Sequence, residues 1–155
     1  MKAISVKNKP AVSIKVAKKV AEVQAAYHRE TRAAHGQELA EDYVEVVADL
    51  ISALGEARAV DIAKRLGVTH VTVTKNISRL ARRGLISTKP YRAIFLTPAG
   101  ERLAAQCKRR HQAVVDFLIS LGIHEDTANT DAEGIEHHVS SETLQAFIRN
   151  TKHNR

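Results

Sequence analysis

The chain has 155 residues, a net charge of +7, one cysteine, no tryptophan and only 4% aromatic residues. That length suits one substantial domain or two small ones, and a single Cys107 excludes a disulfide framework. No apolar run approaches the roughly 18 residues needed to span a membrane, and no apolar leader segment opens the chain, so a cytoplasmic protein is expected.

The positive charge falls in two blocks. Residues 1–21 carry six Lys and no acid, and residues 58–92 carry nine Lys or Arg against the single Asp61. Between them, residues 22–57 carry eight acids against two Arg. Concentrated basic blocks are the electrostatic footprint of a nucleic-acid binder.

Residues 1–24 lack a clean period and contain Pro10, so they are expected to form a flexible basic arm. From about residue 38 the period sharpens: Leu39, Tyr43, Val46, Val47, Leu50, Ile51 and Leu54 recur at helical spacing, and Gly55 supplies a stop. Glu38, Asp42, Glu45 and Asp49 form an acidic stripe along that helix. Such a stripe is ordinarily a solvated face.

The next stretch, A-V-D-I-A-K-R-L-G-V-T-H-V-T-V-T-K-N-I-S-R-L-A-R-R-G, predicts a helix over 59–66, a turn at Gly67, and a second helix capped by Thr69. Ala63 four residues before the turn glycine and Val73 six beyond it let two helices cross closely, the pattern of a helix-turn-helix. Val73, Ile77 and Leu80 point inward. Thr69, His70, Val71, Thr72, Thr74, Lys75 and Arg79 are then left for base edges and phosphates. A plain helical hairpin is the alternative, and the basic block favours DNA.

L-I-S-T-K and A-I-F-L-T flank K-P-Y-R-A and predict a hairpin, or wing, with Arg92 at its exposed tip. Thr97-Pro98 opens a long helix as N-cap and first-turn residue, ending near Leu121 before Gly122. Two further helices follow, one over D-A-E-G-I-E-H-H-V-S and one from Ser140 or Ser141 to about 150. The fold class expected is mainly α: a winged helix-turn-helix over 25–97 followed by an all-helical domain over 98–155. The second unit is small enough that a homodimer would be needed to bury its helices, and two reading heads suit a palindromic site in double-stranded DNA.

D-A-E-G-I-E-H-H-V-S holds Asp131, Glu133, Glu136, His137 and His138. On a helix, Glu133, Glu136 and His137 share one face. They can be a solvated surface, an acid/base pair or half of a metal site. Convergence with Asp42, Glu45 and His111 would gather four carboxylates and two imidazoles, whose mutual repulsion a divalent cation resolves. Asp131 is expected to cap the helix or orient a ligand, His138 to lie in the core or behind the ligands, and Cys107 to be a buried thiol.

Through E-D-Y-V-E, G-V-T-H-V-T-V-T-K, R-H-Q-A-V-V-D-F-L-I-S-L-G and D-A-E-G-I-E-H-H-V-S, the chain resembles the manganese transport regulators of bacteria, a branch of the diphtheria-toxin-repressor-like metalloregulators. The resemblance covers about residues 38–148 and departs at Val71, where relatives often carry Pro or Ser. It implies metal ligands at Asp42, Glu45, His111, Glu133, Glu136 and His137. Iron-responsive relatives carry Met and Cys at the positions of Asp42 and Glu133, and also a third, SH3-like domain that is not expected here. The all-oxygen-and-nitrogen set suits Mn²⁺, one or two per subunit. The function implied is a Mn²⁺-responsive, DNA-binding repressor of manganese uptake genes, not an enzyme. The same fold sensing Fe²⁺ or another divalent metal, and a dimetal enzyme, are the competing readings.

Overall fold

The computed structural model describes residues 11–88 and 93–153, with side chains described for 16–88 and 93–152. In chain order the elements are α1 (Ala11–Leu54), α2 (Ala59–Leu66), α3 (His70–Arg82), β1 (Ile86–Thr88), β2 (Ile94–Leu96), α4 (Pro98–Ser120), α5 (Glu125–Ile135) and α6 (Ser141–His153). Residues 1–37 and 38–155 form two units.

In the first unit, the chain is helical from Ala11, where a flexible arm over 1–24 is expected; residues 1–10 lie outside the described residues. Between 16 and 37 every residue is exposed except Ala26 and Gly36. A helix with no buried face leaves no amphipathic period to read, which is why the sequence does not announce it.

In the second unit, the apolar positions of α1 from residue 38 onward build the first core. Ala40, Tyr43, Val47 and Leu50 pack with Ile62 of α2, Val73, Ile77 and Leu80 of α3, and Ile86 and Ile94 of the hairpin. The α2–α3 turn is set by local chemistry. Gly67 takes the left-handed conformation at φ 64° that a β-carbon would penalise, and its N–H bonds the Ala63 carbonyl. The Thr69 hydroxyl then accepts from the Thr72 N–H at 3.2 Å and caps α3. From α3, Asn76 Nδ2 donates to the Tyr43 hydroxyl at 3.0 Å, tying this helix to α1.

The strands pair antiparallel, with Ile86 opposite Leu96 and Thr88 opposite Ile94. Ala57 adds a bridge on the other side of Ile94, whose N–H reaches the Ala57 carbonyl at 2.7 Å. The expected tip at 89–92, and with it Arg92, lies outside the described residues.

Thr97 caps α4 by accepting from the Gly100 N–H at 3.2 Å, while its hydroxyl donates to the Gly84 carbonyl at 2.6 Å. Gly100 has no room for a side chain: a β-carbon there would sit 2.1 Å from the Leu85 carbonyl oxygen. The start of α4 is thus pressed onto the segment leaving α3. A second core joins α4, α5 and α6 through Val114, Val115, Ala128 and Ala132, with Leu118, Val139, Leu144 and Phe147 against it. Phe117 and Phe147 stack with ring centroids 4.0 Å apart. Among the described residues, no helix is long and apolar enough to cross a membrane.

Candidate metal centre

Helical spacing puts Asp42 and Glu45 on one side of α1, three residues apart. His111 lies in the second half of α4, whose Val114 and Val115 are buried in the second core. Glu133 is in the last turn of α5, which ends at Ile135. Glu136 is the C-cap of α5, so the uninterrupted helix expected through His137 does not form; His137 sits in the turn beyond it. Its ring still returns to the same place. All six residues line one cavity of about 850 Å³, with half-buried Glu38 also in its lining and Asp49, exposed as expected, beside it.

The distances are short. His111 Nδ1 lies 2.9 Å from Glu136 Oε2 and 3.9 Å from Glu133 Oε1. His137 Nε2 lies 3.2 Å from Asp42 Oδ1 and 3.6 Å from Glu136 Oε1. His111, Glu133 and Glu136 each offer a donor atom within 4.8 Å of the others. An octahedral ion with bonds of about 2.1 Å holds neighbouring donors about 3 Å apart.

Glu136 is the centre of this arrangement and is 2% exposed. Its buried Oε2 lies 2.9 Å from His111 Nδ1, and the pull of that imidazole does not cancel the cost of burying the carboxylate. A buried carboxylate that shares its site with other carboxylates is costly unless a cation meets it. The residues present therefore fit a divalent metal, and the donors are oxygen and nitrogen only.

Electrostatics point the same way. Burial pushes Glu45 up to about 7, and the neighbouring Glu136 charge adds to the shift. Burial likewise raises Asp42 and Glu136 above the ordinary carboxylate range. For His137, burial lowers the pKa, but the hydrogen bond to Glu41 and the charges of Asp42 and Glu136 outweigh it, leaving it raised. Each group resists the ionisation state that would multiply negative charge here.

Two residues were not found from the sequence. Glu41, 4% exposed, pairs with Arg110 of α4 at 3.3 Å and with His137 Nδ1 at 2.8 Å. Arg110 also donates to the Glu136 carbonyl, through Nε at 3.1 Å and through Nη2. A buried carboxylate next to an acidic stripe and a long-range arginine leave no local signature.

Two neighbours behave differently from expectation and a third as expected. Asp131 lies within α5, exposed, and does not cap it, since His124 holds the N-cap position. His138 is exposed, not in the core, and with Asp131, Gly134, Ile135 and Val139 lines a separate groove. Cys107 is buried as expected, and burial pushes its thiol up to about 12, so it is a neutral thiol.

At the start and along the outer face of α3, Thr69, His70, Val71, Thr72, Thr74, Lys75 and Arg79 are all exposed, Val71 to 77%. The Thr69 hydroxyl is taken up in capping, also meeting the Thr72 hydroxyl at 2.9 Å, and the Thr74 hydroxyl donates to the His70 carbonyl at 3.0 Å. His70, Val71, Lys75 and Arg79 therefore form the outward-reaching part of the face.

Residues 37–94 match the family model described as iron dependent repressor, N-terminal DNA binding domain, and residues 97–155 match iron dependent repressor, metal binding and dimerisation domain. The chain is 53% identical over 124 residues to the transcriptional regulator MntR of Salmonella typhimurium, covering 80% of this chain and 79% of that one. It is 55% identical over 119 residues to the transcriptional regulator MntR of Escherichia coli O157:H7, covering 77% of each. Among solved structures, it is similar to a manganese-dependent transcriptional repressor in complex with manganese at TM-score 0.62 and 30% identity, over 72% of this chain and 52% of that one. It is also similar to the IdeR of T. acidophilum at TM-score 0.63 and 29% identity, over 72% and 53%. The chain spans about half the length of these solved chains.

Proposed function

The chain belongs to the iron-dependent repressor family, and we propose that it is a Mn²⁺-activated transcriptional repressor controlling manganese uptake genes. In this reading it acts in the cytoplasm as a homodimer on a palindromic operator in double-stranded DNA, as a regulator and not an enzyme. The observation that carries it is the convergence of two imidazoles and four carboxylates from α1, α4 and the end of α5 on one cavity, with Glu136 buried among them. Asp42, Glu45, His111, Glu133, Glu136 and His137 would hold one or two ions per subunit. The bound metal supplies positive charge where the chain has gathered negative charge.

The mechanism follows from which elements carry the ligands. α1 provides Asp42 and Glu45 and also packs against the helix-turn-helix core. Its Tyr43, next to Asp42, holds Asn76, next to Lys75 on α3. Drawing Asp42 and Glu45 toward His111, Glu133, Glu136 and His137 therefore fixes the reading head relative to α4–α6. We assign 25–97 to DNA binding and 98–155 to metal binding and dimerisation, so ordering this hinge sets the distance between the two recognition helices of a dimer. Metal and DNA affinities are then linked reciprocally. Thr69, His70, Val71, Thr72, Thr74, Lys75, Arg79 and Arg92 are the proposed DNA-facing residues, with Thr69 shaping the helix start.

The oxygen and nitrogen donor set favours Mn²⁺ over softer ions, and the buried neutral Cys107 is absent from the donor cluster. Fe²⁺ is the competing effector. The test is a titration of operator binding with Mn²⁺, Fe²⁺ and Zn²⁺ at matched ionic strength, with metal stoichiometry measured alongside. Mn²⁺ should raise DNA affinity at one or two ions per subunit. Metal-independent binding would overturn the reading, and activation by Fe²⁺ alone would reassign the effector.

A further inference from the structure

Glu41 immediately precedes one proposed ligand on α1, yet it makes a different set of contacts. Its buried carboxylate accepts from Arg110 Nη1 at 3.4 Å on Oε1 and from Nη2 at 3.3 Å on Oε2. The same Oε2 lies 2.8 Å from His137 Nδ1. Arg110, on α4, donates at the same time to the carbonyl of Glu136. One charged network thus joins α1, α4 and the turn after α5.

The consequence for His137 is geometric. Its ring is almost fully enclosed, with a side-chain exposure of 5%. Both ring nitrogens face carboxylates, and the hydrogen-bonded contact of Nδ1 at 2.8 Å is shorter than either contact of Nε2, so the single proton of a neutral ring belongs on Nδ1. A neutral ring then presents its other lone pair, on Nε2, toward Asp42 Oδ1 and Glu136 Oε1 at 3.2 and 3.6 Å. Three atoms that can each donate electrons to a cation are thereby brought together. The reverse tautomer would turn an N–H toward the cavity and a lone pair toward Glu41.

We infer that Glu41 is a positioning residue: held by Arg110, it fixes His137 with Nδ1 protonated and Nε2 turned into the metal cavity. This rests on the metal-binding reading above. Ligating histidines whose second nitrogen donates to a carboxylate bind metal more tightly because ring orientation and tautomer are set in advance, and loss of such a partner costs about 10–100-fold in affinity.

The experiment compares wild type, Glu41→Ala and Glu41→Gln as full-length chains. Long-range ¹H–¹⁵N NMR reads the His137 tautomer in metal-free protein at a pH where the ring is neutral, and calorimetry reads Mn²⁺ affinity. Wild type should show the Nδ1–H tautomer alone. Glu41→Ala should show the Nε2–H form and lose about 10–100-fold in Mn²⁺ affinity. Glu41→Gln keeps an acceptor oxygen, so it should retain the Nδ1–H tautomer and lose less. An unchanged tautomer in Glu41→Ala, or Mn²⁺ affinity within about threefold of wild type, would overturn the inference. So would a Glu41→Gln variant that keeps the tautomer but is as impaired as Ala, since the effect would then be charge alone. If Glu41→Ala does not fold, Glu41→Asp, one methylene short of Nδ1, takes its place with the same expectations. A wild type that shows the single tautomer but does not bind Mn²⁺ would instead sink the proposed function.

Discussion

Glu45→Gln in metal-free protein isolates what the acidic cluster does to stability. Folded Glu45 titrates at about 7 against 4.5 when unperturbed, with burial as the main cause and Glu136 next. A carboxyl whose pKa is raised by folding holds its proton in the native state where the unfolded chain has already released it. Between pH 4.5 and about 7 the native state therefore binds more protons, and stability falls as pH rises. Taken at face value the shift corresponds to roughly 3 kcal/mol. Glu45 is only partly buried, so solvent screening reduces this to about 1–2 kcal/mol. Replacing it with the isosteric, uncharged Gln should recover that amount above pH 7 and nothing below pH 4.5. For a chain of this length the gain is about 2–8 °C in Tm. The assay is thermal unfolding after chelator treatment at pH 4.5 and pH 8, at one protein concentration. In Mn²⁺ the order should invert, because wild type gains RT ln(1 + [L]/Kd), about 2.7 kcal/mol at a hundredfold excess over Kd, and the variant gains less. A metal-free Glu45→Gln protein that melts lower than wild type at pH 8, or is shifted equally at both pH values, would refute the reasoning.

Gly100→Ala forces a β-carbon against the Leu85 carbonyl oxygen, and backbone cannot yield cheaply; chemical denaturation should show a loss of about 1–3 kcal/mol. Lys75→Ala, at an exposed position of α3, should weaken binding about equally for operator and unrelated DNA and lower the salt slope by about 1, read by fluorescence anisotropy across salt concentrations. Deleting residues 1–21, which carry six Lys, should reduce DNA affinity most at low salt and leave Mn²⁺ affinity unchanged. A salt-independent loss would argue against phosphate contacts.

The legible parts of this chain are those with local chemistry. The Ala63–Gly67–Thr69 turn, the Thr97-Pro98 helix start and the inward Val73, Ile77 and Leu80 follow from capping and periodicity alone, and the structure has each of them. Asp42 and Glu45 reach one cavity because an i, i+3 spacing survives in any helix. What depended on tertiary contact was not legible. His137 arrives through a turn and not along a helical face, and His138, its neighbour, ends up exposed in another groove. Glu41 and Arg110 are 69 residues apart, and nothing in either local stretch marks them as partners. The beginning of α1 was missed because its exposed residues give no period.

The central claim is that metal at this cavity turns on DNA binding, and Glu133 tests it most directly. Glu133 is one of the three residues whose donor atoms cluster, and its side chain is 74% exposed, so Glu133→Ala should leave the fold intact. The measurement is operator affinity with and without Mn²⁺ at matched ionic strength, for wild type and Glu133→Ala. Mn²⁺ should raise wild-type affinity, and the variant should show no increase while keeping its metal-free, non-specific binding. A Glu133→Ala protein that retains the full Mn²⁺-dependent increase would contradict the central claim.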